Sequence, residues 1–188
     1  MVALYLLLLA GLFSQRCQAL FEEKLVSFGE SPGALPLEDS SLLIDDQEHV
    51  SISIALEALA ADFNAVTGTL PEILSVDSVQ FEGESGLAIV VGSINGSRLI
   101  QELVNNSKLD VSAIEGKYES FTTSLVQDPF PGIDYALVIA GSDNRGTVFG
   151  IYTLSEQIGV SPYVLYPYRF LALFLIVCQL VVVGRCPY

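Results

Sequence analysis

Two short stretches gather side chains that could do chemistry. Gly141-Ser142-Asp143-Asn144-Arg145-Gly146 sets a carboxylate, a carboxamide, a guanidinium and a hydroxyl between two glycines. Arg145 is the only basic residue between Lys117 and Arg169, and a guanidinium can hold a carboxylate through two parallel hydrogen bonds. The structural alternative is that Arg145 pairs with Asp143 or a carbonyl and fixes the turn. The second stretch, Asp45-Asp46-Gln47-Glu48-His49, carries three acids and the single histidine. Two carboxylates at a suitable separation suffice for glycoside hydrolysis, so Asp45, Asp46, Asp143 and Arg145 would form the site of a small self-contained enzyme. Otherwise Asp45, Asp46 and Glu48 are partners of a helix dipole, and His49 is an exposed turn residue. One histidine leaves no histidine-pair metal motif. The Gly141–Gly146 turn has the topology of an anion-binding loop but lacks the lysine of a P-loop and the spacing of a dinucleotide fingerprint. No cofactor and no metal is expected.

The flanking sequence says what positions these stretches. Ala136 to Ala140 is almost continuously apolar, as expected for a strand buried on both faces. After the turn, Val148, Ile151, Tyr152 and Ile158 recur at helical spacing, Thr147 or a nearby turn residue caps the start, and Gly159 sits where a left-handed residue would end the helix. Ser41-Leu42-Leu43-Ile44 predicts another strand, and Ile52, Ala55, Leu56, Leu59, Phe63 and Val66 form the apolar stripe of a helix closed by Gly68. Leu87-Ala88-Ile89-Val90-Val91 predicts a third strand, ended by Gly92-Ser93. Arg98–Asn106 predicts a short helix, and Tyr118–Val126 a strand exposed on one side, with Phe121 and Leu125 on one face and Ser120, Thr122 and Ser124 on the other. Glu72–Gly86 reads as loop. Strands alternating with helices predict an α/β fold, a small mixed sheet of about four strands covered by two main helices. The aromatics Phe63, Phe81, Phe121, Phe130, Phe149 and Tyr152 are spaced for the core.

At 188 residues the chain has room for one ordinary domain and tails, and is too short for a large barrel enzyme. Its formal net charge of −14 would repel a phosphate backbone or an anionic membrane surface, which argues against nucleic acid as a partner. Residues 1–19 read as a secretory signal peptide, with the Leu-rich run Leu4–Leu12 and cleavage after Ala19. Export agrees with two glycosylation sequons, at Asn95 and Asn105. The three cysteines, Cys17, Cys178 and Cys186, fall outside the middle of the chain, so the domain from 20 to 162 must be held by its core. Residues 163–188 contain no acid. The apolar run Phe170–Val183 is shorter than the roughly 20 residues that span a bilayer, which leaves a weak membrane anchor or a gene-model artefact as readings.

The segment Ala140–Tyr152, followed by Leu154–Pro162, resembles the end of the N-terminal domain of family 115 glycoside hydrolases, the xylan α-glucuronidases. Upstream, Ile44-Asp45-Asp46, Ala61-Asp62-Phe63, Val66-Thr67-Gly68, Val91-Gly92, Leu109-Asp110-Val111 and Ile114–Phe121 follow the family's order. Gly146 to Leu154 is also similar to the Gly-x-x-x-Gly-x-x-x-Leu turn and helix of the hexosaminidase accessory domain. The resemblance covers about Leu42 to Pro162. It implies a hexosaminidase-type α/β accessory domain in front of a (β/α)₈ barrel, and a family activity, removal of glucuronic or 4-O-methylglucuronic acid from xylan with inversion. The family's catalytic carboxylates lie in the barrel, so the resemblance implies no catalytic residue here, with xylan or glucuronoxylan oligosaccharides met through the barrel. In that full-length context Asp143 and Arg145 are expected as substrate-binding residues at the barrel mouth, because ligands approach α/β sheets at the C-terminal ends of their strands. The family continues into Trp-rich sequence, whereas this chain has no tryptophan, so Tyr163 is read as the last family-like residue. The alternative is a stand-alone secreted or membrane-held carbohydrate-binding or interaction module.

Overall fold

The structure, a computed structural model, describes residues 25–29, 34–38, 40–76, 86–160 and 180–182. The leader read in residues 1–19, Phe81, all three cysteines and most of the apolar tail lie outside the described residues.

The elements in chain order are β1 (Val26–Phe28), β2 (Leu35–Pro36), β3 (Ser41–Asp45), α1 (Val50–Thr67), β4 (Ile73–Val76), β5 (Leu87–Ser93), α2 (Arg98–Asn105), β6 (Phe121–Gln127), β7 (Tyr135–Gly141), α3 (Asn144–Gln157) and β8 (Leu180–Val182). Five strands form the main sheet in the order β4-β3-β5-β7-β6. All neighbours are parallel except the edge pair β6 and β7. In a second, three-stranded sheet, β8 pairs antiparallel with β1 and β2.

The continuous apolar runs of β3, β5 and β7 are explained by cover on both faces. Alternate residues of a strand point to opposite sides, and the core divides accordingly. Leu42, Ile44, Ile89, Val91, Leu137 and Ile139 pack under α1 and α3, with Ile52, Leu56, Leu59, Phe63, Ile151 and Leu154. Leu43, Ala88, Val90, Ala136, Val138 and Ala140 pack under α2, its following loop and the loop between β6 and β7, with Leu99, Ile100, Leu103, Leu109, Phe130 and Ile133. The mixed α/β sheet is as expected, with one strand more, and the short helix predicted at Arg98–Asn106 is present as α2 beside the two main helices. The added strand, β4, falls in the stretch read as loop. Its four residues alternate only weakly in burial, and flanking bonds from Leu42 N–H to the Glu72 carbonyl and from Asp46 N–H to the Val76 carbonyl hold it on β3. Strand β6 is half-buried along most of its length instead of exposed on one face. It is a sheet edge with cover on both sides, Leu125 joining one core and Val126 the other.

The helix ends match their chemistry. Gly68, at φ 80°, closes α1 and returns its N–H to the Asn64 carbonyl. After α3, Gly159 takes φ 101° and donates to Glu156, while Val160 donates to Ser155. This pair of bonds is a Schellman motif.

Glycine has a different role at the start of α3. Gly141 and Gly146 do not adopt positive φ. A β-carbon on Gly146 would collide with the Ser120 carbonyl oxygen, and one on Gly141 with the backbone of Thr147. One on Gly150 would lie 2.5 Å from Ile139 Cγ2 and 3.0 Å from Phe121 Cδ2. The Gly-x-x-x-Gly spacing therefore lets α3 lie close on β6 and β7, while Leu154 fills the core beyond.

Candidate functional site: a cleft at the strand C-termini

Because β3, β5 and β7 are parallel and each leads toward a helix, the three βα turns emerge at one edge of the sheet. The register sets Ser93 beside Gly141, so the last two turns start level. The helices then diverge, with α1 and α3 on one face and α2 on the other. Where helices leave neighbouring parallel strands on opposite faces, a crevice opens beyond the strand ends.

The crevice between β3 and β5 is filled. Asp45, 2 % exposed, accepts from the Arg98 N–H at 2.7 Å, from Arg98 Nε at 2.9 Å and Nη2 at 2.8 Å, and from the Gln47 N–H at 2.9 Å. Burial pushes the Asp45 carboxyl up, but the bonds and charge of Arg98 and the two N–H groups outweigh it and hold the group below its ordinary value. Asp46 also pairs with Arg98. Glu48 accepts from the Ser93 N–H at 2.5 Å and the Ser93 hydroxyl at 3.1 Å. The acids read as helix-dipole partners thus tie the first turn to the second. None lies in the first turn of α1, whose N-cap is His49, accepting from the Ser51 N–H at 3.2 Å.

The crevice between β5 and β7 is open. It forms a cavity of about 510 Å³ lined by Ser93, Asn95, Gly96, Ser142, Asp143, Asn144 and Arg145. Helix α3 begins at Asn144, so Arg145 and Gly146 belong to its first turn instead of to a preceding loop. Asp143, not Thr147, is the cap. One of its oxygens accepts from the Gly146 N–H at 2.7 Å and the other from the Glu119 N–H at 2.8 Å. These donors, Glu119 first, hold its carboxyl below the ordinary value, helped by the N–H and charge of Arg145. Arg145 is 72 % exposed and pairs with Glu119, Nη1 to Oε1 at 2.6 Å. Both alternatives open to Arg145 are therefore present in part: it lines the cavity, and it pairs with an acid, though that acid is Glu119 and not Asp143. The role of Glu119 had no signal in the sequence, because it reaches Arg145 only through the pairing of β6 with β7.

Asn95 is exposed at the cavity lip. Its sequon partner Ser97 is fully buried as the N-cap of α2, accepting from the Ile100 N–H at 3.3 Å. Gly92 makes room for it, since a β-carbon there would meet Ser97 Cβ at 2.5 Å. Asn105 is the exposed last residue of α2. The structure keeps Asp45 and Asp46 out of the cavity that Asp143 and Arg145 line. No group of three or more His, Cys, Asp or Glu side chains that could hold a metal ion occurs among the described residues.

No family model matches the chain, and no curated protein matches it. Among solved structures it is similar to a family GH115 4-O-methyl-α-glucuronidase, BtGH115A, described as specific for decorated arabinogalactans. The TM-score is 0.52 at 26 % identity, over 69 % of this chain and 15 % of that one. It also aligns with CpGH84D at 10 % identity and a TM-score of 0.46, over 72 % of this chain and 20 % of that one. The chain spans 15 % of the length of BtGH115A, and by that likeness its fold is GH115-like.

Proposed function

We propose that this chain is the secreted, non-catalytic N-terminal accessory domain of an α-glucuronidase-like glycoside hydrolase. In the longer protein, a separate catalytic domain would remove glucuronic or 4-O-methylglucuronic acid side chains, with glucuronoxylan as the substrate. The observation that carries the reading is the likeness in fold and sequence to a 4-O-methyl-α-glucuronidase of which this chain spans only 15 %. The geometry agrees with a supporting role. The best-buried carboxylate, Asp45, is committed to Arg98, and Asp143 is committed to capping α3. Neither is poised as an acid or a nucleophile. Arg145, Asn144 and Asn95 at the open cavity offer hydrogen-bond donors to a uronate carboxylate and its neighbouring hydroxyls.

Three experiments test this. The purified chain incubated with glucuronoxylan should release no 4-O-methylglucuronic acid above a heat-inactivated control, and catalytic release would overturn the non-catalytic reading. The native transcript, sequenced across the codons for Ser161 to Arg169, should continue into Trp-rich sequence. A contiguous transcript encoding the present tail would favour the second reading, a stand-alone secreted or membrane-held carbohydrate-binding module. Expression through a secretory pathway should give a product whose mass falls on enzymatic deglycosylation, by one glycan at each of Asn95 and Asn105.

A further inference from the structure

A second cavity lies away from the strand ends, on the outer side of the helical layer. Helices α1 and α3 pack against each other over the sheet, and a groove of about 400 Å³ between them is lined by Ala58, Asp62, Tyr152, Ser155 and Val160. Ala58 and Asp62 are four residues apart on α1, and Tyr152 and Ser155 three apart on α3, so each pair shares one helix face. The sequence places Tyr152 in the core, yet it is 51 % exposed, and Phe149 one turn earlier is 43 % exposed. Ser155 is 4 % exposed, and its hydroxyl is the one buried side-chain polar atom among the described residues that lacks a hydrogen-bond partner. Native interiors rarely leave such a group unmatched. Asp62 takes part in no ion pair among the described residues.

An exposed aromatic ring, a carboxylate and an unmatched hydroxyl around a mostly apolar groove make a small-molecule site of ordinary size and lining. We propose that this groove binds a neutral sugar ring of a polysaccharide main chain. The ring of Tyr152 offers a flat apolar surface to the C–H face of a pyranose. The carboxylate of Asp62 can accept from two adjacent sugar hydroxyls, and the Ser155 hydroxyl takes a third bond once it turns outward. The charge selects against a uronate: α1 carries Glu57 and Asp62 and no basic residue, and the one base of α3, Arg145, lies at its far end in a pair with Glu119. The groove would therefore hold the uncharged main chain, while the strand-end cavity faces the charged branch. The choice of a polysaccharide main chain rests on the proposed function, whereas the site itself does not depend on the strand-end cavity.

The test is a chemical-shift titration of the isotope-labelled 188-residue protein with a neutral xylo-oligosaccharide and, separately, with glucuronic acid. The neutral sugar should give saturable shifts at Ala58, Asp62, Tyr152 and Ser155. Tyr152→Ala should weaken its binding about tenfold, Tyr152→Phe should retain it, and Arg145→Ala should leave it unchanged. Asp62→Asn, an isosteric change on the surface, should weaken it several-fold and provides a second variant if Tyr152→Ala loses its fold by circular dichroism. Absence of saturable shifts at these residues, equal binding by Tyr152→Ala and the parent, or stronger binding of glucuronic acid at this groove would overturn the proposal. A loss of glucuronic acid shifts in Arg145→Ala with neutral-sugar binding intact bears on the strand-end cavity alone.

Discussion

Replacing Arg98 with alanine should cost more stability than the exposure of its side chain suggests. The Arg98 side chain is 46 % exposed, whereas that of its partner Asp45 is 1 % exposed. Truncation removes little buried surface from the arginine itself. It strands the Asp45 carboxylate, which keeps only the N–H groups of Gln47 and residue 98 as donors. Breaking a buried pair by removing one partner costs about 3–5 kcal/mol. Two surviving charge-assisted bonds place this case near the lower bound, about 3 kcal/mol. In urea, with slopes of about 1–3 kcal/mol/M, that moves the unfolding midpoint down by about 1–3 M at unchanged slope. Asp45→Asn keeps one acceptor oxygen and should cost less, about 1–2 kcal/mol.

The pH dependence separates a stranded charge from lost packing. In the parent, the folded Asp45 carboxyl is held below its unfolded value, so its contribution is complete above the unfolded value and is lost as pH falls through the folded one. Without Arg98, burial is opposed only by the two N–H groups, so the folded value should rise from its place in the parent. The deficit of Arg98→Ala should then be largest at neutral pH and shrink as pH falls through the raised value. A loss below about 1 kcal/mol at pH 7, or one that stays constant from pH 7 to pH 4, would refute the reasoning.

Three further outcomes follow from the α3 end of the site. Gly146→Ala forces a β-carbon onto the Ser120 carbonyl, a backbone atom that can move only with β6, so calorimetry should show a loss of about 1–3 kcal/mol or more. Asp143→Ala removes the α3 cap and the bond from Glu119, and should cost about 1–2 kcal/mol at pH 7. Since the folded Asp143 carboxyl is held low, the parent should lose this stability as pH falls through its folded value, and the gap between parent and variant should close there; a gap that persists in acid contradicts the capping account. Arg145→Ala should change stability by no more than about 0.5 kcal/mol, because its pair with Glu119 is exposed. In the proposed longer protein it should weaken glucuronate binding, and unchanged binding with an intact fold would remove Arg145 from the site.

What the sequence determined by itself is local. The apolar runs of β3, β5 and β7, the stripe on α1, and Gly68 and Gly159 at two helix ends are set by periodicity and backbone chemistry within a few residues, and each lies where the sequence places it. Strand β4 was hidden because a short edge strand is held mainly by its neighbour and need not alternate strongly. The partnerships at the site were decided by tertiary structure alone. Asp45 meets Arg98 across 53 residues, Glu48 meets Ser93 across 45, and Asp143 meets Glu119 across 24. Spacing along the chain carries no record of these pairs, because strand order and register set them. The same limit applies to Tyr152. Helical spacing says that it shares a side with Phe149 and Ser155 and faces away from Leu154, but only the packing of α1 beside α3 decides that the side of Leu154 enters the core while Tyr152 stays at the surface.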